Sequence, residues 1–147
     1  MPAIKHIVCA TDFSDASRPA IEAAAAYTAQ FGAQLTIVHV LHAPAYAGWD
    51  DGPATAAVHS AFLEDQRKAA HHALEEAKQL ALATSPSIDV ETSLVEGVPH
   101  QALAEMSNES DLLVVGTHGR RGVQHMLVGS VAERTVRLAG CPVLTVR

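Results

Sequence analysis

The chain has 147 residues, of which 48 % are hydrophobic and only 4 % aromatic, and its formal net charge at pH 7 is −6. This length predicts a single domain, residues 1–147, with a core built from Ala, Val, Leu and Ile. The acidic balance argues against broad binding to nucleic acid or to an acidic membrane, since both need a basic face. The negative net charge does not exclude a small anionic ligand, because backbone amides and one or two arginines can hold phosphate locally.

Short Val/Ile-rich strands alternate with longer Ala/Leu-periodic helices along the chain. The patterns predict strands over 4–10, 35–41, 88–95, 111–115 and 142–146, and helices over 16–31, 56–83, 99–106 and 129–139. A helix separates every two successive strands, so the strands are expected to be parallel and joined by right-handed crossovers. The predicted class is therefore α/β, with a five-stranded, doubly wound parallel sheet and helices on both faces.

Two of the predicted helices carry one mostly apolar face. In the first, the face consists of Ile21, Ala24, Thr28 and Phe31. In the second, it consists of Phe62, Gln66, Ala70, Leu74, Ala77 and Ala81. Gly32 is expected to end the first helix, because glycine adopts the left-handed conformation that follows many helices.

The irregular stretch over 42–55 holds two prolines, two glycines and the only tryptophan. Connections of this length often act as lids or binding loops, but a plain surface connection fits the same composition. Both interpretations stay open from the sequence.

Two features bear on the compartment. Cys9 and Cys141 adjoin Val-rich segments and form no C-x-x-C pair, which indicates two reduced core cysteines. The first residues show no basic leader with an apolar region, and no apolar run approaches the roughly 18 residues that span a bilayer. A cytoplasmic protein is therefore expected, with no membrane partner.

In an open parallel sheet, ligands bind outside the carboxyl ends of the strands. The segment after the fourth strand is informative, because Gly116 and Gly119 can take positive φ and Gly129-Ser130 opens a helix. Helix N-termini hold phosphate through unsatisfied N–H groups, and Arg120 and Arg121 can add charge from the same loop. The alternative is that Ser130 and Glu133 form an ordinary capping box.

Asp12 lies just past the first strand, with Thr11 and Ser14 beside it. A carboxylate at this position can accept ribose hydroxyls or hold Mg²⁺ through water. The alternative is that Asp12, Ser14 or Asp15 only caps the next helix.

The chain resembles the universal stress proteins over essentially its full length. The similar segments are residues 7–14 (Ile-Val-Cys-Ala-Thr-Asp-Phe-Ser), Val38-His39-Val40, the spacing Gly116-x2-Gly119-x9-Gly129-Ser130, and the final Cys-Pro-Val-Leu-Thr-Val. The glycine spacing resembles the signature of the family's ATP-binding branch. The resemblance implies an adenine-nucleotide alpha-hydrolase-like fold, with strand order 3-2-1-4-5. It further implies a homodimer through Val143–Val146.

The resemblance also implies a site for ATP, or for ADP or AMP, with Mg²⁺ possible. The implied binding residues are Thr11, Asp12, Val40, Gly116, His118, Gly119, Arg120, Gly129, Ser130 and Val131. Asp12 would contact the ribose or the metal and phosphate region, and Val40 would hold adenine through its backbone. The residues at 116–119 would line ribose and phosphates, and those at 129–131 would present N–H groups and a hydroxyl to the phosphates.

Three functions are compatible with these residues: a nucleotide-binding stress or regulatory module with an unknown protein partner, a slow Mg²⁺-dependent ATPase or nucleotide hydrolase, and a dimeric interaction protein that does not use nucleotide. No G-x-S-x-G elbow occurs, and only part of the machinery for fast phosphoryl transfer is present, so no catalytic residue is assigned. The nine histidines show no transition-metal spacing, and the adjacent His71 and His72 point to different faces of a helix.

Overall fold

The computed structural model of the chain describes residues 2–42, 52–118 and 129–147. Its strands are β1 (His6–Ala10), β2 (Gln34–Leu41), β3 (Asp89–Glu96), β4 (Leu112–Gly116) and β5 (Val143–Val146). Its helices are α1 (Arg18–Phe31), α2 (Gly52–Thr84), α3 (Pro99–Ser107) and α4 (Ser130–Leu138). These elements follow one another in the predicted βαβαβαβαβ order.

The five strands form one sheet in the order β3-β2-β1-β4-β5, and all of the pairings are parallel. The expected class and strand order are therefore confirmed. From β1, the strands β2 and β3 are added successively on one side. The chain then crosses back, and β4 and β5 are added on the other side of β1. Beside β1 the winding reverses, which makes the carboxyl ends of β1 and β4 the topological switch point where such sheets bind ligands.

Each face of the sheet is covered by a pair of helices. Ile7, Cys9 and Ile37 point to the layer that contains α1 and α2, whereas Val8 and Val38 point to the layer that contains α3 and α4. Neighbouring residues on a strand point to opposite faces, so strands covered on both sides need continuous apolar runs. The helices contribute mainly alanines to this core, which lets their backbones approach the sheet closely.

The first crossover differs in detail from the prediction. A short 3₁₀ turn over Asp15–Ser17 precedes α1, and α1 itself begins at Arg18, two residues after the predicted start. Pro19 lies in the first turn of α1, where its missing N–H leaves no acceptor unpaired. Gly32 has a φ of 63°, so the predicted glycine stop is confirmed.

The helix α2 is longer than predicted and extends past the sheet. It includes Gly52 and Pro53, which the sequence assigned to the irregular stretch. Its 33 residues span about 50 Å, whereas the eight residues of β2 span about 26 Å. The Arg67 guanidinium lies 2.5 Å from the Glu96 carboxylate at the end of β3, so the residues before Arg67 lie beyond the carboxyl edge of the sheet. This hydrogen bond and charge lower the pKa of the exposed Glu96.

The overhang explains why one position on the predicted apolar face of α2 is not buried. Ala70, Leu74, Ala77 and Ala81 are buried as expected, but Phe62 is 57 % exposed because no strand lies beneath that part of α2. Phe31, at the last position of α1, is 43 % exposed and stacks on Tyr27 with ring centroids 5.9 Å apart.

We expect Leu74→Ala to lower the free energy of unfolding by about 3 kcal/mol, because it opens a cavity at a side chain that is 1 % exposed. The matched change Phe62→Ala, on the same helix, should cost less than about 1 kcal/mol, since most of that ring is already in water. Urea unfolding of the two variants measures the difference. Equal losses would contradict the described overhang of α2.

Candidate functional site

The turn that follows β1 is held by a network of short hydrogen bonds. The Thr11 N–H donates to the Val38 carbonyl at 2.9 Å, which extends the pairing of β1 with β2 by one residue. The Thr11 hydroxyl contacts the Ser17 hydroxyl at 2.9 Å and accepts the Phe13 N–H at 3.1 Å. Both hydroxyl-bearing residues are buried. The turn is therefore tied to β2 on one side and to the start of α1 on the other.

Asp12 organises this turn and does not cap the helix. Its Oδ1 atom accepts the Ser14 N–H at 3.0 Å and the Ser14 hydroxyl at 2.5 Å, which is the local pattern of an Asx turn. The residues at the N-cap positions of the 3₁₀ turn and of α1, Ser14 and Ser17, make no side-chain capping bond. Asp12 precedes both N-cap positions and is therefore the capping residue of neither turn, and its half-buried carboxylate lies at the carboxyl edge of the sheet.

His39 is a member of this site that the sequence analysis did not single out. Its Nδ1 atom lies 2.8 Å from the Thr11 carbonyl oxygen, and its ring stacks on Phe13 with centroids 4.2 Å apart. Phe13 has a φ of 65°, a left-handed conformation that costs a non-glycine residue about 1–2 kcal/mol. A polar ring in the apolar carboxyl-terminal half of β2 is the signal that could have identified His39.

The end of β4 lies directly against the turn that leads into α1. A Cβ atom built on Gly116 would lie 3.6 Å from the Ala16 carbonyl oxygen and 3.7 Å from the Ser17 Cα. These are ordinary contact distances, and Gly116 does not have the positive φ that the sequence analysis allowed. Beyond it, the Thr117 hydroxyl contacts the Nδ1 atom of His118 at 2.9 Å.

Gly129 joins the start of α4 to the end of β4. Its N–H donates to the Thr117 carbonyl oxygen at 2.6 Å, and an added Cβ atom would lie only 3.1 Å from that oxygen. This close approach explains the glycine. It also corrects the expectation that the Gly129 N–H is available to a phosphate, because the amide is already engaged within the protein.

The first turn of α4 still offers backbone donors. Gly129 is the N-cap residue, and its carbonyl accepts the Glu133 N–H at 2.9 Å. The N–H groups of Ser130, Val131 and Ala132 come before this first intrahelical bond and have no acceptor within the helix. Together with the helix dipole, three such amides favour an anion.

The capping-box alternative is not formed. Ser130 is the first residue of α4 and not its N-cap, which is Gly129, a residue without a side chain. The Glu133 carboxylate instead lies 2.9 Å from the Arg137 guanidinium, one turn further along α4. Ser130 is exposed, so its hydroxyl faces solvent at the edge of the sheet.

Val40 lies beyond the point where β1 stops. The last paired residues of β1 and β2 are Ala10 and Val38, and the Val38 carbonyl is directed to β1, where it accepts the Thr11 N–H. Backbone groups in a strand alternate in direction every residue, so the N–H and C=O of Val40 also point to the β1 side, above the end of β1.

Most of the residues predicted for the site therefore lie at one edge of the sheet. The described members at that edge are Thr11, Asp12, Val40, Gly116, His118, Gly129, Ser130 and Val131. Gly119 and Arg120 lie outside the described residues, as do Arg121 and positions 43–51 of the irregular stretch.

The comparison with known families agrees with this architecture. The sequence model of the Universal stress protein family matches residues 3–147. The chain belongs to the universal stress protein family.

Curated universal stress proteins are identical to this chain at about a third of the aligned positions. One from Methanocaldococcus jannaschii is 31 % identical over 145 residues, an alignment that covers 97 % of this chain and 82 % of that protein. A relative in Mycobacterium tuberculosis is 34 % identical over 113 residues but is longer, so the match covers only 37 % of it.

Solved structures of universal stress proteins superpose over the whole chain. UspA from Lactobacillus plantarum has a TM-score of 0.84 and 26 % identity, with 100 % of both chains covered. A universal stress protein crystallised in complex with cAMP has a TM-score of 0.75 and 30 % identity, with 99 % of both chains covered.

The cysteines of this universal stress protein differ in exposure. Burial raises the pKa of the Cys9 thiol to about 12, so this thiol is protonated and inert at neutral pH. Cys141 is half-buried near the start of β5 and packs against the core layer of α3 and α4, and both cysteines are free.

The described ranges carry no candidate for a metal cluster or for a membrane span. Within residues 2–42, 52–118 and 129–147, no group of three His, Cys, Asp or Glu side chains is arranged to hold a metal ion. None of the helices in the described part of the chain is long and apolar enough to cross a membrane.

The two described glycines of the site should respond differently to alanine. We expect Gly129→Ala to lower the free energy of unfolding by about 1 kcal/mol, because the new methyl group would press on the Thr117 oxygen at 3.1 Å. Gly116→Ala should be neutral or slightly stabilising, since its Cβ makes only ordinary contacts. Thermal unfolding of both variants measures the contrast, and the reverse order would argue against the described contact between Thr117 and Gly129.

Proposed function

We propose that this universal stress protein binds an adenine nucleotide, ATP or its relatives ADP and AMP, and acts as a stress-response or regulatory module. The observation that carries the proposal is the start of α4. Three N–H groups without an intrahelical acceptor and the exposed Ser130 hydroxyl lie at the switch point of the sheet. Such a helix start at such an edge is a ready-made phosphate site.

The base and the sugar have matching partners along the same edge. The backbone of Val40, directed into the space above the end of β1, offers adenine one donor and one acceptor. The turn after β1 places the Asp12 carboxylate between this position and β4, where ribose hydroxyls would donate to it. In this arrangement the nucleotide spans from β2 to α4 across the carboxyl end of β1.

A magnesium ion fits this proposal as part of the nucleotide complex. Mg²⁺ usually keeps several waters and takes one or two carboxylates together with substrate phosphates. Asp12 is the described carboxylate at this position, and its Oδ1 atom already accepts two hydrogen bonds from Ser14. Bound Mg²⁺ would neutralise phosphate charge, and Asp12 would hold it directly or through water.

The relatives support the ligand class. The universal stress protein crystallised with cAMP is 30 % identical to this chain over 99 % of its length. It supports an adenine nucleotide here. A preference for ATP over ADP or AMP would need further cationic side chains near the phosphates, and we propose Arg120 as one of them.

The rest of the proposal concerns assembly and compartment. We include a homodimer through Val143–Val146, which forms an edge strand of the sheet and can pair with a second strand. Residues 1–147 would form one domain that passes its nucleotide state to an unknown protein partner. Two free cysteines fit the reducing cytoplasm.

Ser130→Pro tests the phosphate site at a single donor. Proline suits the first position of a helix, and this chain already places Pro99 there in α3. Gly129 has the extended backbone that a following proline requires, so α4 should keep its fold. We expect Ser130→Pro to weaken Mg·ATP binding by about 10- to 100-fold, because an N–H bond to a charged group is lost.

Calorimetric titration with Mg·ATP measures this loss, starting from protein stripped of any bound nucleotide. Two controls accompany it. Ser130→Ala removes the hydroxyl but keeps the N–H, and should weaken Mg·ATP less than Ser130→Pro does. Adenosine has no phosphate, so its affinity should be the same for both variants and the wild type. If Ser130→Pro binds Mg·ATP as tightly as the wild type does, the helix start of α4 does not hold the phosphates.

A further inference from the structure

We propose that His39 is a positioning residue for the nucleotide site, because it fixes the turn that carries Asp12. The proposal rests on the proposed function for its effect on binding, but the effect on the turn can be measured without nucleotide. Its basis is that His39 contacts the two residues that flank Asp12, Thr11 before it and Phe13 after it.

The hydrogen bond to Thr11 fixes which ring nitrogen of His39 carries a proton. A carbonyl oxygen can only accept, so the Nδ1 atom of His39, 2.8 Å from the Thr11 oxygen, must carry a proton. His39 therefore donates from Nδ1 in its neutral as well as its charged form, and the contact does not depend on the charge of the ring.

This hydrogen bond ends the pairing of β1 with β2. The Thr11 N–H still donates to Val38, as it would in a continuing parallel ladder. In such a ladder the Thr11 carbonyl would face the N–H of Val40. Here it accepts the His39 ring N–H, and the chain turns out of the sheet at this residue. The same step leaves the backbone of Val40 above the end of β1, where the proposed adenine position lies.

The stacked ring fixes the other side of the turn. Phe13 has a left-handed backbone with a φ of 65°, which a non-glycine residue adopts only when its surroundings enforce it. Its ring packs against the core layer of α1 and α2, into which the odd-numbered residues of β2 also point. His39 lies on that side of the sheet and contributes the stacking partner at 4.2 Å.

The consequence for Asp12 follows from these two contacts. With Thr11 and Phe13 both fixed, the Ser14 N–H and hydroxyl reach the Oδ1 atom of Asp12, and the carboxylate has one orientation. Without the His39 ring, the turn can relax towards conformations that suit a non-glycine Phe13, and the carboxylate loses that orientation.

Three substitutions separate the two contacts of His39. His39→Asn keeps an N–H donor close to the Nδ1 position, His39→Phe keeps the stacking partner without the donor, and His39→Ala removes both. We expect His39→Phe and His39→Ala to speed exchange of the Ser14 amide hydrogen at least about tenfold in the nucleotide-free protein. The same two variants should weaken Mg·ATP binding by about three- to tenfold. His39→Asn keeps the donor but loses the stacking, so both properties should lie between those of the wild type and those of His39→Ala.

His6 provides the matched control. It is also half-buried, and its Nδ1 and Nε2 atoms lie 3.3 Å and 2.9 Å from the Glu109 carbonyl and the Thr36 hydroxyl, at the opposite edge of the sheet. His6→Phe should lower the melting temperature without changing Ser14 exchange or Mg·ATP affinity.

The outcomes distinguish this proposal from the nucleotide proposal. Unchanged Ser14 exchange in His39→Phe, or equal effects of His39→Phe and His6→Phe on exchange, would overturn the positioning role. If the wild type binds no Mg·ATP, the nucleotide proposal fails, and the exchange data still decide whether His39 fixes the turn.

Discussion

Parallel pairing of β1 with both β2 and β4 is the constraint on which the rest of the structure depends. Since every strand runs the same way, all carboxyl ends meet at one edge, and the chain reversal beside β1 brings the turn after β1 against the end of β4. The hydrogen bond from the Gly129 N–H to Thr117 then fixes the start of α4 at the same edge. Asp12, Val40 and the N–H groups of α4 are thus assembled by the sheet and not by a local motif.

The apolar strands and the alanine-rich helices of the chain suit a sheet that is covered on both faces. Central strands that are covered on both faces need apolar runs, and the alanine-rich helices pack closely on them because a methyl group adds little thickness. In β1 and β4 the polar side chains lie only at or beyond the strand ends. There, buried hydroxyls such as those of Thr11 and Ser17 pair with each other, so their burial leaves no unsatisfied group.

The sequence was sufficient to predict the elements, the parallel pairing and the sheet edge at which the candidate residues gather, because these follow from short-range patterns and from the geometry of crossovers. Gly32 is an example: a local glycine signal gave the correct helix end. The strand order depends on long-range packing, and it came from the resemblance to the family. Phe62 was assigned wrongly because helical periodicity does not show where the underlying sheet ends.

The errors at the site have the same origin. Whether the Gly129 N–H is available depends on Thr117, twelve residues away in sequence and adjacent only in the fold. The role of His39 depends on Thr11 and Phe13 across the β1–β2 pairing, at a separation of 26 residues or more. Asp12 was expected either to cap a helix or to face a ligand, and its bonds to Ser14 give it a third role, as the organiser of its own turn.

The central claim is that an adenine nucleotide lies across the carboxyl end of β1, from Val40 to the start of α4. The most direct measurement is an NMR titration of ¹⁵N-labelled, nucleotide-stripped protein with Mg·ATP, followed at each backbone amide. The account predicts the largest shift changes at 11–14, 40–41, 116–118 and 130–132, with His6 and Asp111 at the opposite edge nearly unchanged. No shift changes at millimolar nucleotide, or changes confined to other parts of the chain, would contradict it.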